Sequence, residues 1–156
     1  MDSIRTLLLP LGLLVTSNSV PWLLGQALGA RGAAPLDFGL RWLDGERLFG
    51  AHKTWRGLAG AMAGTALVGW LAGMAPSLGA AFGALAMAGD LLSSCVKRRL
   101  HLKPGQDAPG LDQLPECLLP LIALARPLTL DIEAIAIVAT AFTLGHLLVA
   151  RLRRRG

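Results

Sequence analysis

The amino-acid sequence predicts an all-α integral membrane protein, with five transmembrane helices around a polar pocket that faces the cytoplasm. Three observations lead there. Of the 156 residues, 53% are hydrophobic and only 16% are charged, against roughly 25% charged in soluble domains. The run from Gly57 to Gly89 holds 33 residues without a charge, whereas one bilayer crossing needs about 20. The 15 Lys and Arg residues are gathered into a few islands between apolar stretches. A length near 150 residues is that of one domain, so residues 1–156 read as a single transmembrane domain.

The first apolar stretch runs from Thr6 to Ala30. It carries Ser17, Asn18, Ser19 and Pro21 near its middle, and polar residues followed by Pro inside a span predict a kinked helix that lines a cavity. Signal-peptide cleavage is not expected, because "MDSIR" holds one Arg and one Asp and no A-x-A site follows. A polar segment, Arg31 to Arg56, holds five basic and three acidic residues. The long uncharged run comes next. "MAPS" around Pro76 divides it into helices over 57–74 and 78–96, since Pro does not continue a helix. A second polar segment covers Lys97 to Asp112. A short apolar stretch, Leu114 to Ala125, leads to "RPLTLD", and the last span, Ala134 to Ala150, ends in "RLRRRG". Gly60 and Gly64, Gly69 and Gly73, and Gly79 and Gly83 have the small-xxx-small spacing that lets helix backbones approach. They are read as packing residues.

With five spans, the 31–56 segment, the 97–112 segment and the C-terminus share one side. That side carries 13 of the 15 basic residues. The positive-inside rule makes it the cytoplasm, so the loops at about 31–56 and 97–113 are cytoplasmic, the C-terminus is inside and the N-terminus outside a cell (inner) membrane. The net charge of +5 then reflects sidedness, and no nucleic-acid partner is expected. Cys95 and Cys117 lie far apart without metal spacing and read as buried thiols.

Asp90 is the residue that most calls for a function. An acid about twelve residues into the third span is costly and needs a partner, water or a metal. Asp90, Ser93 or Ser94, and Lys97 follow helical spacing and share one face. Above them, "KRRLHLKPG" sets Lys97, Arg98, Arg99 and Lys103 within seven residues. Alone this would be a snorkelling basic flank. Beside Asp90 it reads as an anion site, with bases for phosphates and a carboxylate for the divalent ion that phosphates bring. "HKTWRG" has the same character: Lys53 and Arg56 are cations, Thr54 is a hydroxyl, and a helix N-terminus follows. No Walker A pattern is present. Trp55 reads as an interfacial anchor and His52 as solvated. Asp112 and Gln113 open the fourth span and either complete a metal or base site or, for Asp112, cap the helix. His101 and His146 have no partner at ligand spacing.

The stretches "LDGERLFGAHKTWRG", "GDLLSSCVKRRLHLKPG" and "LDQLPE" resemble the CDP-archaeol synthase family, small membrane cytidylyltransferases related to phosphatidate cytidylyltransferase. The resemblance runs from about Asn18 to Glu116. It implies five transmembrane helices, a cytoplasm-facing pocket, CTP as donor and Mg2+ as cofactor. It implies functional roles at Asn18, Lys53, Thr54, Arg56, Asp90, Lys97, Arg98, Lys103 and Asp112. The chain departs from the family where Gly50-Ala51-His52 stands in place of Gly-Asp-Gly, which leaves Lys53 to Gly57 intact and bears on substrate identity.

The reaction so implied is nucleotidyl transfer: a lipid phosphate oxygen attacks the α-phosphorus of CTP and pyrophosphate leaves, giving a CDP-activated lipid. The nucleophile is already an anion near neutral pH, because a second phosphate pKa is about 6, so no general base is required. The expected site is Asp90, Lys53 and Arg56 for catalysis. Asn18, Thr54, Ser94, Lys97, Arg98 and Lys103 are added for substrate binding, and Asp90 with Asp112 for Mg2+. The expected partners are CTP, a lipid phosphate and membrane lipids, with homo-oligomerisation open. Two other classes compete. A CDP-alcohol phosphotransferase would share "DGERLFG" but needs later paired aspartates. A transport or assembly protein would explain the glycines but not Asp90 aligned with Ser94 and Lys97.

Overall fold

The computed structural model describes residues 2–102, 106 and 108–153. Five helices form in chain order: α1 (Asp2–Leu28), α2 (Trp55–Leu71), α3 (Pro76–Arg99), α4 (Gln113–Ala123) and α5 (Ile132–Arg153). Among the described residues there are only two isolated β-bridges and no strand. Each helix falls on an expected apolar stretch. Three of them, over Ile4–Leu28, Pro76–Arg99 and Ile132–Leu152, are long and apolar enough to cross a membrane. The protein is therefore a multi-pass membrane protein. The expectation of five full spans is met less far. The 17 residues of α2 sit at the lower limit of about 17 for a crossing. The 11 residues of α4 reach only about 16 Å, roughly half the hydrocarbon core.

The helix ends follow local chemistry. α2 starts at a cap, where the Thr54 side chain accepts from Gly57 N. α3 starts with Pro76 in its first turn, where a missing N–H costs nothing. Gly73, expected as a packing residue, instead makes the α2–α3 turn with φ 81°. α1 continues through both Pro10 and Pro21.

Lipid tails are as apolar as Leu, so close packing holds such helices together. α2 packs on α1 and α3, α3 on α4, and α5 on α1 and α4. Leu13, Leu14, Phe82, Cys117, Leu121, Val138 and Phe142 form the buried core. Cys95, expected to be buried, is half-buried, because its side chain lies toward the end of α3 outside this core. A Cβ on Gly79 or Gly83 would meet the α2 backbone at Thr65 and Ala61, so these two glycines set the α2–α3 separation. A Cβ on Gly89 would meet the Pro115 carbonyl, with Glu116 Cα at 2.7 Å. That contact brings α4 against the C-terminal half of α3.

The segment between α1 and α2 is ordered around Asp37, which is 2% exposed. Its carboxylate accepts from Gly39 N at 3.0 Å, Gly50 N at 3.2 Å, Phe49 N at 3.3 Å and Arg47 Nη2 at 2.8 Å. Burial disfavours the charge, but these donors outweigh it and hold the Asp37 pKa below its ordinary value.

Candidate active site

A polar cavity of about 490 Å3 lies among the helices, with walls from α1, α2, α3, α4, α5 and the segment before α2. The bridge Pro35↔Thr54 positions that segment, with Leu36 N donating to Lys53 O at 2.7 Å and Trp55 N to Ala34 O at 3.0 Å. Lys53 is thereby delivered to α3, and its Nζ lies 2.5 Å from Asp90 Oδ2. A second pair joins the same helix to the N-terminal end of α4: Lys97 Nζ lies 2.6 Å from Asp112 Oδ1. Asp90 and Lys97 are two turns apart on α3, about 10 Å along its axis. All four residues line the cavity. The Lys53 and Asp90 side chains are each 24% exposed. An ion pair in partial contact with water contributes little to stability, so both charges are free to take other partners.

Asp112 does not cap α4 with its side chain; its second oxygen accepts from Ala108 N at 2.9 Å. Asn18 and Ser17 also line the cavity. Asn18 Nδ2 donates to Glu116 Oε2 at 3.3 Å. Glu116 is 7% exposed and on the cavity wall, a residue that spacing arguments pass over. Its one sequence signal is an acid inside an apolar helix. His146 is missed for the same reason, since its partner is remote in sequence. Gly110 N donates to Gln113 Oε1 at 2.8 Å, which turns the amide nitrogen of Gln113 toward His146 Nδ1, 3.1 Å away. Nδ1 is then the acceptor, and the neutral ring carries its proton on Nε2. His52, read as solvated, is exposed and also lines the cavity.

Thr54, Arg56 and Gly57 place the N-terminus of α2 on the cavity wall, where the helix dipole favours anions. Arg56 differs from expectation in its partners. Its guanidinium donates to Gly29 O at 3.1 Å and to Arg31 O, because α1 ends beside it with carbonyls in need of donors. Ser94 and Arg98 depart further. They are 3% and 5% exposed, and neither is on the cavity wall, since packing of α3 against its neighbours covers them. Lys103 lies outside the described residues.

Mg2+ is usually held by one or two carboxylates together with substrate phosphates. Asp90 and Asp112, hard oxygen donors that both line the cavity, fit that requirement. A closed cage of three or more His, Cys, Asp or Glu is absent among the described residues, so the other donors would have to come from water or phosphate.

Comparison with known proteins agrees with this architecture. A profile of the CarS-like CDP-archaeol synthase family matches residues 7–153. The CDP-archaeol synthase of Pyrococcus furiosus is 43% identical over 107 residues, 62% of this chain and 60% of its own length. That of Thermococcus onnurineus is 43% identical over 129 residues, 74% of this chain and 71% of its own. The matched part thus spans about 60% of the length of the Pyrococcus relatives. A solved structure, described as an intramembrane enzyme for archaeal membrane lipids biosynthesis, aligns with a TM-score of 0.70 and 31% identity. The alignment covers 94% of this chain and 92% of that one. With the profile match running through all five helices, the chain belongs to the CDP-archaeol synthase family.

Proposed function

We propose that this protein is a membrane cytidylyltransferase that forms a CDP-activated lipid from CTP and a lipid phosphate. The observation that carries the reading is the shared cavity of Lys53–Asp90 and Lys97–Asp112, which the α2 N-terminus also lines. Two polyanions must be brought together, and positioning with charge neutralisation accounts for most of phosphoryl-transfer catalysis. An oxygen of the lipid phosphate forms the new bond to the α-phosphorus. The bond from that phosphorus to the β-bridging oxygen breaks, and pyrophosphate leaves with the electron pair.

Lys53, Arg56 and the Thr54–Gly57 backbone are assigned to the triphosphate. Lys97, at the end of the apolar span, is assigned to the lipid phosphate, whose tails stay in the bilayer. When phosphates enter, both lysines turn from carboxylate to phosphate oxygens, which leaves Asp90 and Asp112 to hold Mg2+. Bound there, the ion would offset phosphate charge. Asn18 orients Glu116. The basic loops are assigned to the cytoplasmic face of the cell membrane, where CTP is available.

The test uses purified protein in mild detergent with Mg2+, labelled CTP and a panel of acceptors: phosphatidic acid, unsaturated archaetidic acid and a polyprenyl phosphate. A labelled CDP-lipid with one acceptor, lost in Asp90→Asn, is the expected result. No product with any acceptor, from protein shown to be folded, refutes the reading.

A further inference from the structure

The loop between α1 and α2 displays a row of apolar side chains that its own fold does not cover. Phe38 is 73% exposed, Leu40 62%, Trp42 55% and Leu43 98%. A loop bathed in water rarely exposes four large apolar side chains within six residues. These side chains are held outward by structure. The buried Asp37 carboxylate ties Gly39, Arg47, Phe49 and Gly50 together on the inner side. Phe38 is held in a left-handed backbone conformation, φ 45°, which is strained for a residue with a side chain. The Trp42–Glu46 turn is closed by Trp42 N to Glu46 O at 2.8 Å. Arg99, at the end of α3, clamps it through Asp44 at 3.1 Å and Arg47 O at 3.0 Å. The Arg99 guanidinium also lies 5.8 Å from the Trp42 ring centre.

We propose that this loop is seated in the lipid headgroup layer, with Phe38, Leu40, Trp42 and Leu43 inserted into the membrane interface. Two further features select a lipid surface as the occupant. The loop begins where the membrane-crossing α1 ends and finishes where the apolar α2 begins, so both its anchors are already at the boundary. Exposed Arg41 lies within the apolar row and exposed Arg31 precedes it near the end of α1, an arrangement by which an interfacial segment joins apolar burial to attraction for anionic headgroups. Trp is the side chain that most favours this layer. The strained Phe38 backbone is then a display device, offset by the Asp37 bonds and by burial of its ring in lipid. Lys53 is carried on the same loop, so membrane seating also sets the height of the cavity wall against the headgroups. The proposal rests on the chain being a membrane protein and not on the reaction, so failure of the CTP assay leaves it standing.

The test is depth-resolved quenching of Trp42. Trp22→Phe, Trp55→Phe and Trp70→Phe together leave one tryptophan, in vesicles of phosphatidylcholine with one quarter phosphatidylglycerol. Quenching several-fold stronger by a headgroup or shallow acyl label than by a bilayer-centre label, with weak quenching by aqueous iodide, is expected. Full iodide quenching without lipid quenching places the loop in water and overturns the proposal. Should the triple variant not fold, Leu43→Cys in a Cys95→Ser, Cys117→Ala background carries a nitroxide instead. Its collision rate with oxygen should exceed that with a water-soluble nickel chelate. The reverse ratio, or spin–spin broadening that shows a second copy against the loop, overturns the proposal.

Discussion

Gly89→Ala probes the contact that holds the two acidic walls of the cavity together. Gly89 precedes Asp90 on α3, and a Cβ there would meet the Pro115 carbonyl and come within 2.7 Å of Glu116 Cα. Both are backbone atoms and cannot swing aside. To reach ordinary contact at 3.4 Å, α4 must retreat by about 0.7 Å at Glu116 Cα and by more at the Pro115 carbonyl, which lies nearer still. Overpacking of this kind costs about 1–3 kcal/mol. With about 2–4 °C of Tm per kcal/mol in a chain of this size, Tm falls by roughly 2–12 °C. The retreat also moves Asp112 and Glu116 away from Asp90 and Lys97. Misplacement near 1 Å costs on the order of 100-fold in rate, so kcat/KM for CDP-lipid formation should fall by about tenfold or more. Gly60→Ala is the control, because its Cβ meets the far end of the Leu24 side chain, which can rotate. Thermal unfolding in detergent and the CTP assay read both effects. Wild-type Tm and activity in Gly89→Ala would refute the claim that this close approach sets the site.

Thr54→Val removes the α2 cap and should cost about 1 kcal/mol, while Thr54→Ser, which keeps the acceptor, should retain most of the stability and CTP affinity. Denaturation midpoints and KM for CTP separate a capping role from a phosphate-binding one. Asp37 has a folded pKa below its unfolded value, so its contribution is complete above about pH 4 and is lost as pH falls through the lower, folded value. Limited proteolysis of the 31–54 segment should show it opening only in that acid range, and Asp37→Asn should open it at neutral pH. Nitrogen-15 NMR of labelled histidine, assigned with His146→Phe, should show His146 as the Nε2–H tautomer. Gln113→Leu, which removes the amide donor, should release that preference.

Five helices and their order were legible in the sequence, because apolar runs long enough to meet lipid must be helical to satisfy their own backbone. The charged islands were legible for the converse reason: ionised groups avoid the hydrocarbon core unless they are paired. Lys53, Asp90, Lys97 and Asp112 stood out in those islands, but their pairing did not. Lys53 and Asp90 are 37 residues apart, and only the Pro35↔Thr54 bridge and α1–α2–α3 packing bring them together. Helical spacing placed Ser94 on the Asp90 face but could not say how far a short side chain reaches, and tertiary packing buried it. Arg56 read as a cation for phosphate, and only the fold shows that the end of α1 supplies carbonyls for it. Glu116 and His146 carry no local pattern; the Gly89–Pro115 contact and the Gly110–Gln113–His146 chain give them their surroundings. Composition and periodicity determine which segments leave water, since that depends on each side chain's own transfer energy. Which charges face one another depends on distances between segments remote in the chain, and only the packed helices set those.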